Sequence, residues 1–134
     1  MVIKMKEAVD PKKILSDLNK TVDQILISFE ALEDWGPSGN RPDQYTSDVV
    51  ADQVIADSLV ESGYRILSEE SENFNGDGLV AVVDPLDGST NGSRGLPWFA
   101  TSLCVVDEHG PLVAVVLIRT VSGRAPVFQC FKRN

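Results

Sequence analysis

The hydrophobic spacing changes once along the chain, near Gly63, and that change decides the fold class. Before it, Ile14, Leu18, Val22, Ile25, Phe29 and Leu32 recur at steps of three and four, the period of one helix face. Asp10 and Pro11 suit the start of that helix, a capping side chain followed by a proline at the first helical position. The helix is expected to run to about Asp34. Residues 36–42 are rich in glycine and proline and read as a loop. A second helix is expected from near Ser47 or Asp48, with Val50, Val54, Ile55, Leu59 and Val60 on its apolar face and Gly63 as its stop.

After Gly63 the apolar residues come in short β-prone runs, at 64–67, 79–83, 97–106, 112–118 and 126–131. The run 79–83 is continuous, as in a strand buried on both faces. Residues 107–110 and 121–124 have turn composition and would close hairpins between the later strands. Two N-terminal helices packed on a mainly antiparallel β-sheet make an α+β fold. At 134 residues the chain is long enough for one domain with a core, and a single domain over 1–134 is expected.

Charge narrows the function. The formal net charge is −8, so the basic footprint of a nucleic-acid binder is missing. No apolar run reaches the roughly 20 residues that span a bilayer. Neither nucleic acid nor membrane is therefore an expected partner. Lys4 and Lys6 have no apolar stretch behind them, unlike a secretory signal. Cys104 and Cys130 both sit in strand-like runs and read as buried free thiols, which points to a cytoplasmic protein. Two cysteines at that distance make no zinc site.

The chemistry concentrates directly after the 79–83 strand, in Asp84-Pro85-Leu86-Asp87-Gly88-Ser89-Thr90-Asn91-Gly92. Pro85 and Gly88 favour a tight reversal, so that Asp84 and Asp87 converge at the strand end. Paired carboxylates repel, and a hard divalent cation such as Mg²⁺, Mn²⁺ or Ca²⁺ relieves the repulsion. Gly88, Ser89 and Thr90 offer backbone N–H groups and two hydroxyls that can hold a phosphate. Asp-Pro and Asp-Gly are also common turn pairs. The metal reading gains from a second acidic pair, Glu69-Glu70, at the end of an earlier strand. If the two strands are neighbours, three or four carboxylates share one edge of the sheet.

These segments resemble the lithium-sensitive, metal-dependent phosphatase superfamily, and within it the inositol monophosphatase family. Tyr45-Thr46-Ser47-Asp48, Leu67-Ser68-Glu69-Glu70-Ser71, Val82-Val83 leading into the Asp84–Asn91 motif, and Leu96-Pro97-Trp98 follow in that family's order. The resemblance runs from about Asp10 to about Phe128. It implies an Mg²⁺-dependent phosphomonoesterase acting on a small phosphorylated alcohol. Glu69 and Asp84 would be ligands of a first metal, with the backbone carbonyl of Leu86. Asp87 would ligate a second metal, with Asp84 bridging. Ser89 would help activate the attacking water, and Asp48 would hydrogen-bond its hydroxyl. Gly88 and Ser89 would give N–H groups to the phosphate, with Asp87 and Thr90 beside them. Glu70 would stand behind the metal rather than on it. Asp52 is the rival of Asp48 for the helix position. Arg94 and His109 read as solvated, and Trp98 and Phe99 as core.

Members of that family are about twice as long. A second half supplies a Trp-Asp-type motif whose carboxylate completes the second metal site, and no such motif occurs here. The chain therefore reads as the N-terminal half of the family's fold, with the C-terminal half absent. Three functions follow: a phosphatase of the inositol monophosphatase type; a catalytically incomplete module that binds metal or anion or serves as a subunit; and a related phosphatase of a sugar or nucleotide phosphate. A sheet face left open by the absent half suggests a homodimer. Lithium inhibition is a family trait and is expected to be weak where the second metal site is incomplete.

Overall fold

The computed structural model describes residues 9–40, 42–69, 72–73, 76–96, 99–120 and 123–131, with the backbone alone at 72, 73, 89, 119, 120 and 123–131. The first helix, α1, spans Pro11–Ala31. Asp10 caps it as its sequence suggests, its carboxylate accepting from the Lys12 N–H at 3.0 Å. Its end comes three residues before the expected Asp34. Leu32 leaves the helical backbone with ψ 117°, and its carbonyl accepts instead from the Trp35 indole N–H at 3.1 Å. Ile14, Leu18, Val22, Ile25, Leu26 and Phe29 are buried on one face.

The second helix, α2, spans Thr46–Glu61. Its buried stripe is Ser47, Asp48, Ala51, Ile55 and Leu59, which corrects the expected face. Val50 and Val54 are half-buried, and Val60 is exposed. The short side chains Ser47 and Ala51 form the inner face, and α2 packs on α1. There the Thr21 and Ser58 hydroxyls pair at 2.7 Å. Gly63 stops the helix with φ +93°, a left-handed conformation that costs glycine least.

Beyond it lie β1 (Arg65–Ser68), β2 (Glu72–Asn73), β3 (Val80–Asp87), α3 (Ser89–Ser93), β4 (Phe99–Asp107), β5 (Gly110–Thr120) and β6 (Gly123–Phe131). The strands form one sheet in the order β2-β1-β3-β4-β5-β6. Only β1 and β3 run parallel, and every other pair is antiparallel. The α+β layout thus stands, with a mainly antiparallel sheet. Three elements depart from expectation. β2 falls where loop was expected. β3 continues four residues past Val83, through Asp84 and Asp87. A short helix, α3, occupies the second half of the motif. The turn at 107–110 is present; 121 and 122 of the second turn lie outside the described residues.

Both helices cover one face of the sheet. Ile66, Ala81, Val83, Leu103, Val105, Val113, Val115 and Leu117 meet them in a single core, with α1 packed over β4 and β5 and α2 over β1 and β3. On the other face, strand register aligns Leu67, Val82, Cys104, Ala114 and Cys130 in one row. Leu67, Val82 and Ile118 there are 41%, 38% and 36% exposed. The run 79–83 is accordingly buried on one face only, because the helix layer is one-sided. Cys104 is half-buried on that exposed face rather than in the core, its thiol 4.0 Å from the Val105 carbonyl; the Cys130 side chain lies outside the described residues. Among the described residues no helix is long and apolar enough to cross a membrane.

Candidate active site

The motif gains its geometry from a bulge in β3. Asp84 pairs with Ser102 and Asp87 with Ala100, so three steps on β3 oppose two on β4. Directly opposed residues share a face, and Ser102 and Ala100 are two apart. Asp84 and Asp87, three apart, therefore point to the same uncovered face, which an unbroken strand would forbid. Pro85 and Leu86 are both buried at the bulge. The buried Thr101 hydroxyl, opposite them, donates to the Pro85 carbonyl at 2.8 Å. This corrects the expected tight reversal at Pro85. The carboxylates converge through a bulge inside the strand, and the chain turns only at Gly88, whose φ of +91° leads into α3.

Parallel pairing of β1 and β3 sets Ser68 opposite Val83. Glu69 follows at the strand end, exposed, beside the start of the motif. From α2 comes Asp48, 4% exposed, whose carboxylate accepts from the Tyr45 N–H at 2.9 Å. That is one half of a capping box, at the helix end where negative charge is favoured. Asp52 accepts instead from the Ser68 hydroxyl at 2.9 Å and ties α2 to β1.

Asp84 feels all of this. Burial pushes its carboxyl above the ordinary carboxylate range; the charges of Glu69 and Asp87 push it further, the Leu86 N–H pulls it back, and Asp48 adds a last push. Its Oδ1 is buried without a hydrogen-bond partner. Leu86 is buried, with its N–H turned to Asp84. The Thr90 hydroxyl donates to the Tyr45 hydroxyl at 3.3 Å. The Ser89 side chain and Glu70 lie outside the described residues. Arg94 is exposed, and His109 sits in an exposed turn 3.5 Å from Glu108. Phe99 packs against the core, while Trp98 lies outside the described residues.

The donor set fits a hard divalent cation. The groups acting on Asp84 are carboxylates and a backbone amide, and a buried carboxylate oxygen lacks a partner, a costly state without a cation or proton. The fit is one of chemistry. Among the described residues no three His, Cys, Asp or Glu side chains stand in metal-ligand geometry. Sequence reasoning passed over Trp35 and Thr101, which carry no sequence signal of their role, and gave no role to Tyr45 and Gly92, although both lie in the quoted segments.

A bulged strand that offers two carboxylates, next to a glutamate and a helix-end aspartate, defines a class as well as a geometry. Residues 39–120, which include every one of these carboxylates, match the inositol monophosphatase family, and the chain belongs to it. Among its relatives, a fructose-1,6-bisphosphatase of Pyrococcus furiosus is 35% identical over 110 residues, covering 77% of this chain and 41% of that protein. The Nus factor SuhB of Escherichia coli is 40% identical over 73 residues, covering 52% of this chain and 27% of that one. A solved structure from Pyrococcus horikoshii, described as having similarities to inositol-1 monophosphatase, shares the fold with a TM-score of 0.77 at 23% identity, over 91% of this chain and 49% of that one. The chain thus spans less than half the length of each.

Proposed function

We propose that this chain carries the metal-binding and phosphate-contacting half of an Mg²⁺-dependent phosphomonoesterase site for a small phosphorylated alcohol such as inositol monophosphate. The observation that supports it most is Asp84, whose buried Oδ1 has no partner while three other carboxylates press on it. Glu69, Asp84 and the Leu86 carbonyl would hold one cation, and Asp87 with Asp84 a second. Bound Mg²⁺ would supply positive charge against the phosphate and acidify the attacking water. Asp48, through the Ser89 hydroxyl, would take up and orient the proton of that water. Gly88, Ser89 and Thr90 open α3, where first-turn N–H groups have no carbonyl four residues back. They would contact the phosphate oxygens, next to Asp87.

The test is phosphate release from inositol 1-phosphate by the purified chain in millimolar Mg²⁺, beside Asp84→Asn. Release that Asp84→Asn abolishes supports the reading; no release favours the module reading below, and release untouched by Asp84→Asn overturns the assigned site. Lithium should inhibit weakly, because no carboxylate beyond Asp84 and Asp87 is proposed for the second cation.

A second reading is a module that binds metal or anion or serves as a subunit. One relative is named a Nus factor rather than an enzyme. The fructose-1,6-bisphosphatase relative keeps a sugar phosphate open as substrate. The partner proposed for the uncovered sheet face is a second copy of the chain, meeting the same apolar row.

A further inference from the structure

The segment between α1 and α2 closes on itself. The Ser38 N–H donates to the Gln44 carbonyl at 2.8 Å and the Thr46 N–H to the Gly36 carbonyl at 2.9 Å, and Pro37 bridges Tyr45. Its two ends, Trp35 and Tyr45, are therefore brought together, and both reach α3. Tyr45 meets Thr90 through the hydroxyl pair. Trp35 meets Gly92 so closely that a Cβ at Gly92 would stand 3.2 Å from indole Cζ3 and 3.3 Å from Cε3.

The indole is itself held. Its N–H is bonded to Leu32, and its rings pack at 5.3 Å from Phe29 and 5.7 Å from Phe99, centroid to centroid. Gly92 does not need to be glycine for its backbone, since it is absent from the glycines with positive φ. In a helix, glycine is a poor choice. What excludes a side chain there is the indole. A five-residue helix also has too few turns to hold a position by itself.

We propose that the contact between Trp35 and Gly92 sets where α3, and so the turn Gly88–Thr90, stands relative to Asp84 and Asp87. Trp35 and Gly92 are positioning residues for the phosphate-contacting turn; the inference rests on the function proposed above. Asp84 and Asp87 belong to β3, whose bulge is fixed by β4, so cation binding does not depend on this contact. Phosphate binding does.

The experiment measures inorganic phosphate binding by calorimetry in saturating Mg²⁺, and Mg²⁺ binding separately, for the parent chain, Gly92→Val, and Gly92→Val combined with Trp35→Phe. Gly92→Val should weaken phosphate at least about tenfold, the scale on which small misplacements act, with Mg²⁺ affinity and helix content retained. Trp35→Phe removes the outer ring of the indole, so the double variant should return to within about threefold of the parent, the mark of a direct pair. A Gly92→Val chain that binds phosphate as the parent does, or a double variant no better than the single, overturns the inference. Should Gly92→Val fail to fold, Gly92→Ala adds a single methyl and a better helix former, and is read in the same way. A parent chain that binds Mg²⁺ but no phosphate removes the proposed function first, and the positioning role with it.

Discussion

Asp84 is held in a place that suits it badly when ionised and alone. Its folded carboxyl keeps its proton more tightly than the unfolded chain does, because burial and the charges of Glu69 and Asp87 oppose ionisation. The stability tied to the neutral form is fully present below the ordinary value of 3.8 and is lost as pH rises past it toward the raised one. At neutral pH the metal-free chain therefore carries this deficit. Asp84→Asn should raise the melting temperature in chelator by a few degrees, while Mg²⁺ should raise it in the parent and leave the variant unmoved. An Asp84→Asn chain that melts lower in chelator and still responds to Mg²⁺ would contradict this account. Tyr64 works in the opposite pH range. Burial and the adjacent Asp17, which accepts from its hydroxyl at 2.7 Å, push its phenol well above the usual tyrosine range. Its contribution is whole below about pH 10 and is lost as pH rises beyond that. Tyr64→Phe should cost about 1 kcal/mol at neutral pH and should flatten the alkaline loss of stability. Urea titrations at pH 7 and in the alkaline range measure both. At this scale the carboxylates were legible, because Asp84, Asp87 and Glu69 sit in unusual local sequence. Trp35 and Gly92 were not, because their meaning lies in a contact between segments far apart in the chain.

Among the elements, α1 and β5 were the most legible, since their apolar spacing is long and regular. The extent of β3 was not. Pro85 and Gly88 read as turn residues, yet pairing with β4 carries the strand through Pro85. Bulges tolerate a residue that lacks an N–H, and the Thr101 hydroxyl satisfies the Pro85 carbonyl. The face of α2 was misjudged for a related reason: valines at 50 and 54 outweighed Ser47 and Ala51 by hydrophobicity, whereas close helix packing selects small side chains. The entry into β3 makes a sharper case. A Cβ on Gly78 would lie 1.9 Å from the Gly63 carbonyl oxygen, and Arg65 Nε donates to the Gly78 carbonyl at 2.7 Å. Gly78→Ala must push backbone from backbone. It should destabilise by at least about 2 kcal/mol, in the upper range for overpacking, as read by the midpoint of chemical unfolding. A neutral result would show that the end of α2 and the start of β3 can part freely.

Among the described residues the sheet has one face buried under the helices and one that is apolar and exposed. Leu67, Val82 and Ile118 lie on the second, and a strand pair such as β1 and β3, running parallel, is usually covered on both sides. A second copy meeting this face would have to overcome a net charge of −8 on each chain. Association should therefore strengthen with added salt, which screens that repulsion, and Val82→Lys should weaken it at least about tenfold, as expected of a buried interface charge. Light scattering across concentration and salt decides this; a clean monomer throughout removes the homodimer. The one-sided cover was not legible in the sequence, because a run such as 79–83 looks the same whether one face or both are buried.

The packing of α1 over β5 also dictates a timetable. Synthesis proceeds from the N-terminus, at about 5–20 residues per second. The apolar face of α1, from Ile14 to Phe29, leaves the ribosome well before Val113, Val115 and Leu117 exist to receive it. During that interval α2 gains β1 and β3, over which it packs, while α1 still waits for β4 and β5. Until β4 and β5 close beneath it, the apolar face of α1 lacks most of the sheet that buries it in the finished fold.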